Sequence, residues 1–256
     1  MIMRWQKRTV ALCLGLTLLN VGRMSHAADD QRAREIVDRV ARLFITKSSI
    51  ATVEMRITNE NWQRNISMRI WSLREENILV RISSPSEDAG AATLKVGSKI
   101  WHYLPKANRT IEMPASMTTT SWMGSHFTLD DLVKQSRLTS DYSVTTSFEG
   151  MRDGVAVYEY TLTPKPSAAV VWGKITLEIR QVDLMPISQR YYDEDGKPVR
   201  ELTFSEYKTV SGRLIPTRLV MQPLNKAGEQ TTLVYENIVF DAPISDETFS
   251  LSNLKR

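Results

Sequence analysis

The sequence predicts a mainly β fold with some α: a strongly curved antiparallel sheet whose concave face is covered by helices. Three observations carry that reading. About ten segments alternate apolar and polar residues with a period of two, and only short turn signals separate them. So many strands in series cannot stay flat and must coil toward a barrel. Finally, a period of 3.6 shows in only two places, at the front of the chain and near Thr128 to Ser136.

The chain opens with Arg4, Lys7 and Arg8, an apolar run from Val10 to Val21, and Ser25-His26-Ala27. Residues 1–27 therefore read as a secretory signal peptide cut after Ala27, and residues 28–256 as a single domain. The run is too short to span a bilayer, and no second stretch of about 20 apolar residues follows. Cys13, the one cysteine, lies within that run, so the mature chain is expected to have neither a disulfide nor a thiolate metal site. The signal segment holds four basic residues (Arg4, Lys7, Arg8, Arg23) and no acidic one; 33 basic residues less these four leave 29 against 29 acidic. The net charge of +4 is then a targeting feature and gives no ground for a nucleic-acid partner.

Asp29 and Asp30 precede an amphipathic helix with Ile36, Val37, Val40, Leu43 and Phe44 on one face. The period then changes to two: Val53, Met55 and Ile57, next Ile66, Met68 and Ile70, next Ile78, Val80 and Ile82. In the second half, strands are read at Val155 to Thr163, Val170 to Arg180, Ile187 to Tyr192, Val199 to Tyr207, Thr217 to Pro223 and Gln230 to Phe240. Asp153-Gly154, Asp193 to Gly196, Ser211-Gly212 and Ala227-Gly228 turn the chain between them. A meander is the simplest topology.

Lys99 to Leu132 is the most informative stretch. An aromatic strand, Ile100 to Leu104, turns at Pro105 to Arg109 and returns to Met113-Pro114. Ala115 to Met123 then mixes small hydroxyl residues with Met117, Trp122 and Met123, a composition that suits a segment lying on something apolar. Thr128 is placed to cap a short helix with Leu129, Leu132 and Val133 on its apolar side. The pattern W-x-Y-L-P-K-x-x-R followed by W-M-G-S-x-F-T-x-D-D-L resembles the outer-membrane lipoprotein-sorting proteins, the LolA/LolB-like superfamily, in the branch associated with RND-type exporters. One departure is His126, standing where that pattern has an acidic residue. The resemblance implies an unclosed β-barrel with a helical lid and a monomeric periplasmic carrier for lipid or lipoprotein acyl chains, with an inner-membrane RND-type exporter as possible partner. It also implies a strand arginine that tethers the lid; Arg56, Arg64, Arg69 and Arg81 are all candidates and no motif selects one.

Catalysis has little to work with. Only His102 and His126 follow the signal segment, and there is no Gly-x-Ser-x-Gly elbow, His-x-x-x-His pair or glycine-rich phosphate loop. Ser125, His126 and Asp130 form a triad only on paper, because side chains adjacent on a turn diverge. The chain is therefore read as a non-enzyme with no cofactor and no metal. The lipid-binding residues expected are Leu94, Val96, Trp101 and Tyr103 as wall, Met117, Trp122, Met123 and Phe127 as lid, and Val40, Leu43 and Phe44 as the apolar face of the first helix. An envelope sensor or accessory subunit that docks to a membrane transporter or regulator is the alternative from a different class; a hydrolase is the third.

Overall fold

The computed structural model describes residues 19–117, 119–134 and 137–255, with side chains described outside 19–28, 115 and 132–134. Most of the expected signal segment, including Cys13, lies outside the described residues, as do the side chains of Leu132 and Val133. Helix α1 (Leu19–Ala41) leads into β1 (Ser48–Thr58), β2 (Gln63–Leu73), β3 (Asn77–Ser84), β4 (Ala92–Val96), β5 (Lys99–Leu104) and β6 (Arg109–Met113). Two short helices, α2 (Leu129–Lys134) and α3 (Leu138–Asp141), precede β7 (Tyr142–Arg152) and β8 (Val155–Pro164). Strands β9 (Lys174–Arg180), β10 (Pro186–Tyr192), β11 (Pro198–Val210), β12 (Arg213–Pro223) and β13 (Gln230–Phe240) follow, then α4 (Leu251–Leu254).

All 13 strands join one antiparallel sheet in the order β6-β5-β4-β3-β2-β1-β13-β12-β11-β10-β9-β8-β7. The expected plain meander is corrected by this order. Two meanders are fused where the first strand pairs with the last, Val53 opposite Tyr235 and Met55 opposite Leu233. The free edges are β6 and β7, and the chain connecting them, residues 114–141, runs from one edge to the other. Helix α1 also starts ten residues earlier than the acidic pair at 29–30 suggested. Its residues Ala33, Ile36, Val37, Val40 and Ala41 are buried in the core.

Curvature follows from what shares a wall. Tyr142 on β7 and Tyr235 on β13 line one cavity, although six strand spacings separate them, about 29 Å in a flat sheet. The inner face carries two contiguous clusters. One gathers α1 with the β7–β12 half, and the other gathers β1–β3 and Ile100 with Trp122 and Leu129; Phe44, Leu233 and Tyr235 touch both. Phe44 stacks on Tyr235 at 4.8 Å between ring centroids. The outer face of β2–β5 has its own cluster, built with Phe249 and Leu254 of the C-terminal segment. Consecutive residues Leu79 and Val80 divide between the outer and inner clusters, as strand alternation requires.

Candidate functional site

The described part of the connection between β6 and β7 is tied to the sheet at several points through its polar groups. A tight turn at Trp122 to Ser125 places Met123 and Gly124 at positive φ (56° and 77°), closed by the Trp122 amide donating to Phe127 O at 2.8 Å and the Ser125 amide to Trp122 O at 2.9 Å. Thr128 and Asp131 then make a reciprocal cap on α2: Asp131 Oδ2 accepts from the Thr128 amide (2.7 Å) and Thr128 Oγ1 from the Asp131 amide (3.3 Å).

Asp131 does more than open a helix. Arg200 on β11 grips it with two hydrogen bonds, 2.5 Å to Oδ1 and 2.9 Å to Oδ2, and donates a third to His126 O at 3.2 Å. The guanidinium lies between the rings of Trp172 (4.5 Å) and Tyr191 (4.4 Å), and the arginine side chain is only 6% exposed. Burial pulls the Arg200 pKa down, but the hydrogen bonds and charge of Asp131 outweigh it and the net direction is upward, so the guanidinium stays charged. None of the four arginines expected from the sequence fills this role. Arg56 bonds Asn65, Arg69 lies over Trp71 and Arg81 reaches Asn253 O; only Arg64 meets the lid, donating to Met123 O while paired with Asp88.

His126 is a second tie. Its amide donates to Thr231 Oγ1 (3.0 Å), Nδ1 lies 2.8 Å from the same hydroxyl and Nε2 lies 3.1 Å from Glu229 Oε2. The hydrogen bond from His126 holds the Glu229 carboxyl below the usual range. Ser125 Oγ bonds the Phe127 backbone rather than His126, so Ser125, His126 and Asp130 do not assemble into a triad.

Two cavities flank the lid. The first, about 900 Å3 of empty space counting its open part, lies toward β7–β13 under Phe127, Asp130 and Asp131, with a wall that includes Trp172, Tyr191, Leu219, Met221 and Tyr235. Burial pushes the Tyr235 hydroxyl up to about 12 and raises that of Tyr191, the response of phenols in a poorly hydrated space. The second, about 740 Å3 on the same measure, lies toward β3–β6 under Trp122, Met123 and Leu129.

A family model described only as that of an uncharacterized protein matches residues 74–256, well over half of the chain. Solved structures share the fold. A DUF1329 family protein from Desulfovibrio piger aligns with a TM-score of 0.79 at 20% identity, covering 88% of this chain and 99% of its own. A putative outer membrane lipoprotein-sorting protein domain from Vibrio parahaemolyticus gives 0.77 at 22% identity, covering 89% and 100%. A LolA superfamily protein from Nitrosomonas europaea gives 0.72 at 20%, covering 86% and 98%. The chain belongs to the family of that model, and its fold is LolA-like. No curated protein matches it.

The LolA-like fold separates the expected site residues into three groups. Trp122 and Met123 line the second cavity and Phe127 the first, whereas Met117 is 42% exposed. Val40, Leu43 and Phe44 pack into the inner core beside the first cavity without lining it; Phe44 touches its wall through Tyr235. The four residues expected as wall fall in a different cluster. Leu94, Val96, Trp101 and Tyr103 belong to the outer-face cluster under the C-terminal segment, and of these only Tyr103 also borders a cavity. An aromatic strand shows which residues alternate but not which side the helices cover. The wall residues missed, Trp172, Tyr191, Leu219 and Met221, are ordinary strand apolars, or a loop tryptophan within the segment read as strand from Val170. Arg200 gives no signal in the sequence beyond its place on a strand.

Proposed function

We propose that this protein is a periplasmic carrier that holds an acyl chain of a lipid or lipoprotein in the first cavity and transfers it between membranes, receiving or delivering it through an inner-membrane RND-type exporter. The observation that carries the reading is a connection held by a buried charge pair, Arg200–Asp131, across an open cavity whose wall is formed largely by Trp172, Tyr191, Leu219, Met221 and Tyr235. Each buried methylene contributes about 0.8 kcal/mol, so a long chain supplies roughly 10 kcal/mol before lid opening and chain ordering are subtracted. That gain is opposed by the lid's ties, which keeps binding reversible as a carrier needs. Trp122, Met123 and Phe127 act as lid and Trp172, Tyr191 and Met221 as wall. Among the described residues no helix is long and apolar enough to cross a membrane, and no cluster of His, Cys, Asp and Glu could hold a metal ion. The mature protein is a single domain of residues 28–256.

The test is mass spectrometry of lipids extracted from protein purified from its native envelope, together with displacement of a fluorescent fatty acid. Co-purifying acylated molecules and displaceable binding are expected. Lipid-free protein that binds no acyl probe overturns the proposal.

A further inference from the structure

The first cavity holds a polar side chain that the fold leaves unused. Gln189 lies on the inner face of β10, opposite Leu177 on β9 and Leu202 on β11, both buried in the apolar core. It lines the cavity and is itself only 7% exposed. Among the described residues its side-chain amide has no hydrogen-bond partner, and it is not one of the polar atoms sealed inside the protein, so it opens onto the cavity. An amide left unpaired in such surroundings costs about 1–3 kcal/mol. Methionine or leucine at this place would pack without that cost, so the glutamine calls for a partner from outside the chain.

Two phenols on the same wall share this condition. Tyr142 and Tyr191 are 5% and 7% exposed, and among the described residues neither hydroxyl is hydrogen-bonded. Burial, reinforced by the charges of Asp130 and Asp141, raises the Tyr142 hydroxyl above its ordinary range, so it stays protonated and able to donate. Three unused polar groups therefore border a space otherwise walled by Ile175, Leu202, Leu219 and Met221. A plain hydrocarbon would fill that space and leave all three unpaired.

We infer that Gln189 is a specificity-determining residue that reads an alcohol hydroxyl on the apolar body of the ligand, with Tyr142 and Tyr191 as further hydrogen-bonding partners on the wall. The glutamine amide presents an N–H donor and a carbonyl acceptor side by side. A hydroxyl meets both with one heavy atom, donating to the oxygen and accepting from the nitrogen. An ester carbonyl satisfies only the N–H, a carboxylate sets its lone pairs against the amide oxygen, and a trans secondary amide points its own donor and acceptor in opposite directions. The ligand class is thus a hydroxylated hydrocarbon rather than a plain one. This rests on the carrier reading and narrows its cargo.

The test compares methyl stearate with a series of methyl hydroxystearates that differ in the carbon bearing the hydroxyl, each displacing a fluorescent fatty acid from the full-length protein. At least one hydroxylated isomer should bind about tenfold more tightly than methyl stearate, because a site built around a polar group rejects the analogue that leaves it unpaired. Gln189→Met keeps the length of the side chain without its polar atoms and should bring that ratio to about one. The same variant should melt at or above the temperature of the parent, since no bond within the protein is lost. A probe that binds but is displaced no better by any hydroxylated isomer overturns the inference and leaves the carrier reading standing. A preference that survives in Gln189→Met, or a variant that melts well below the parent, overturns the role given to Gln189. Failure of the fluorescent fatty acid to bind at all overturns the carrier reading and this inference with it.

Discussion

Replacing Arg200 by methionine removes one partner of a nearly dry ion pair while keeping the length of the side chain. The arginine side chain is 6% exposed and the Asp131 side chain 17%, and the variant strands that carboxylate against Trp172 and Tyr191 with no cation. Stranding one member of such a pair costs about 3–5 kcal/mol. Because Arg200 also holds His126 O, most of that loss should fall on lid closure rather than on the strand ladder. A shift of about 3 kcal/mol changes the ratio of open to closed lid roughly 100-fold. Amide hydrogen exchange reads this directly. The Trp122 and Ser125 amides, both bonded within the lid turn, should exchange roughly 100-fold faster, while amides in the β1–β13 ladder keep their protection. Arg200→Met combined with Asp131→Leu should recover much of the loss, since an apolar pair strands no charge. Unchanged lid exchange, or an equal rise across the whole sheet, refutes the idea that this pair governs the lid.

Filling the first cavity with Leu219→Trp displaces at least two methylenes' worth of ligand and should weaken acyl binding about tenfold or more, measured by probe displacement. Leu94→Ala, on the outer face and 1% exposed, should lower unfolding stability by about 2–5 kcal/mol in a denaturant titration and leave acyl affinity unchanged; an affinity loss at constant stability would restore Leu94 to the ligand wall. The Glu229 carboxyl is depressed by the His126 hydrogen bond, so its contribution is present above the ordinary glutamate range and is lost as pH falls through the lower folded value. Lid protection should therefore decline on acidification in the parent, and Glu229→Gln should flatten that decline in exchange measurements.

Local patterns were readable and long-range partners were not. The period-two segments became strands at nearly the expected bounds, Gln230 to Phe240 among them, because alternation reports burial on one face. The segment from Val170 shows the limit: its strand begins only at Lys174, and Val170 and Trp172 turn to the cavity instead. Pairing of β1 with β13 has no local signal, which is why a simple meander was expected. The same gap explains the misplaced wall. Trp101 and Ile100 alternate as foreseen, yet which of them faces the lid depends on where the C-terminal segment docks. Thr128 as cap was legible from its place just before the apolar run that starts at Leu129; the arginine that grips Asp131 comes from a strand 69 residues away and was not.

The seam between β1 and β13 sets the order in which this molecule can be completed. A chain that emerges N-terminus first presents β1 with one flank unsatisfied until nearly everything else has been made or delivered, because its partner begins at Gln230. Contacts of such sequence separation form slowly. During biogenesis a bare, alternately apolar ribbon therefore waits in a compartment crowded with other unfinished chains, and a holdase that shields this strand would be the natural safeguard against mispairing.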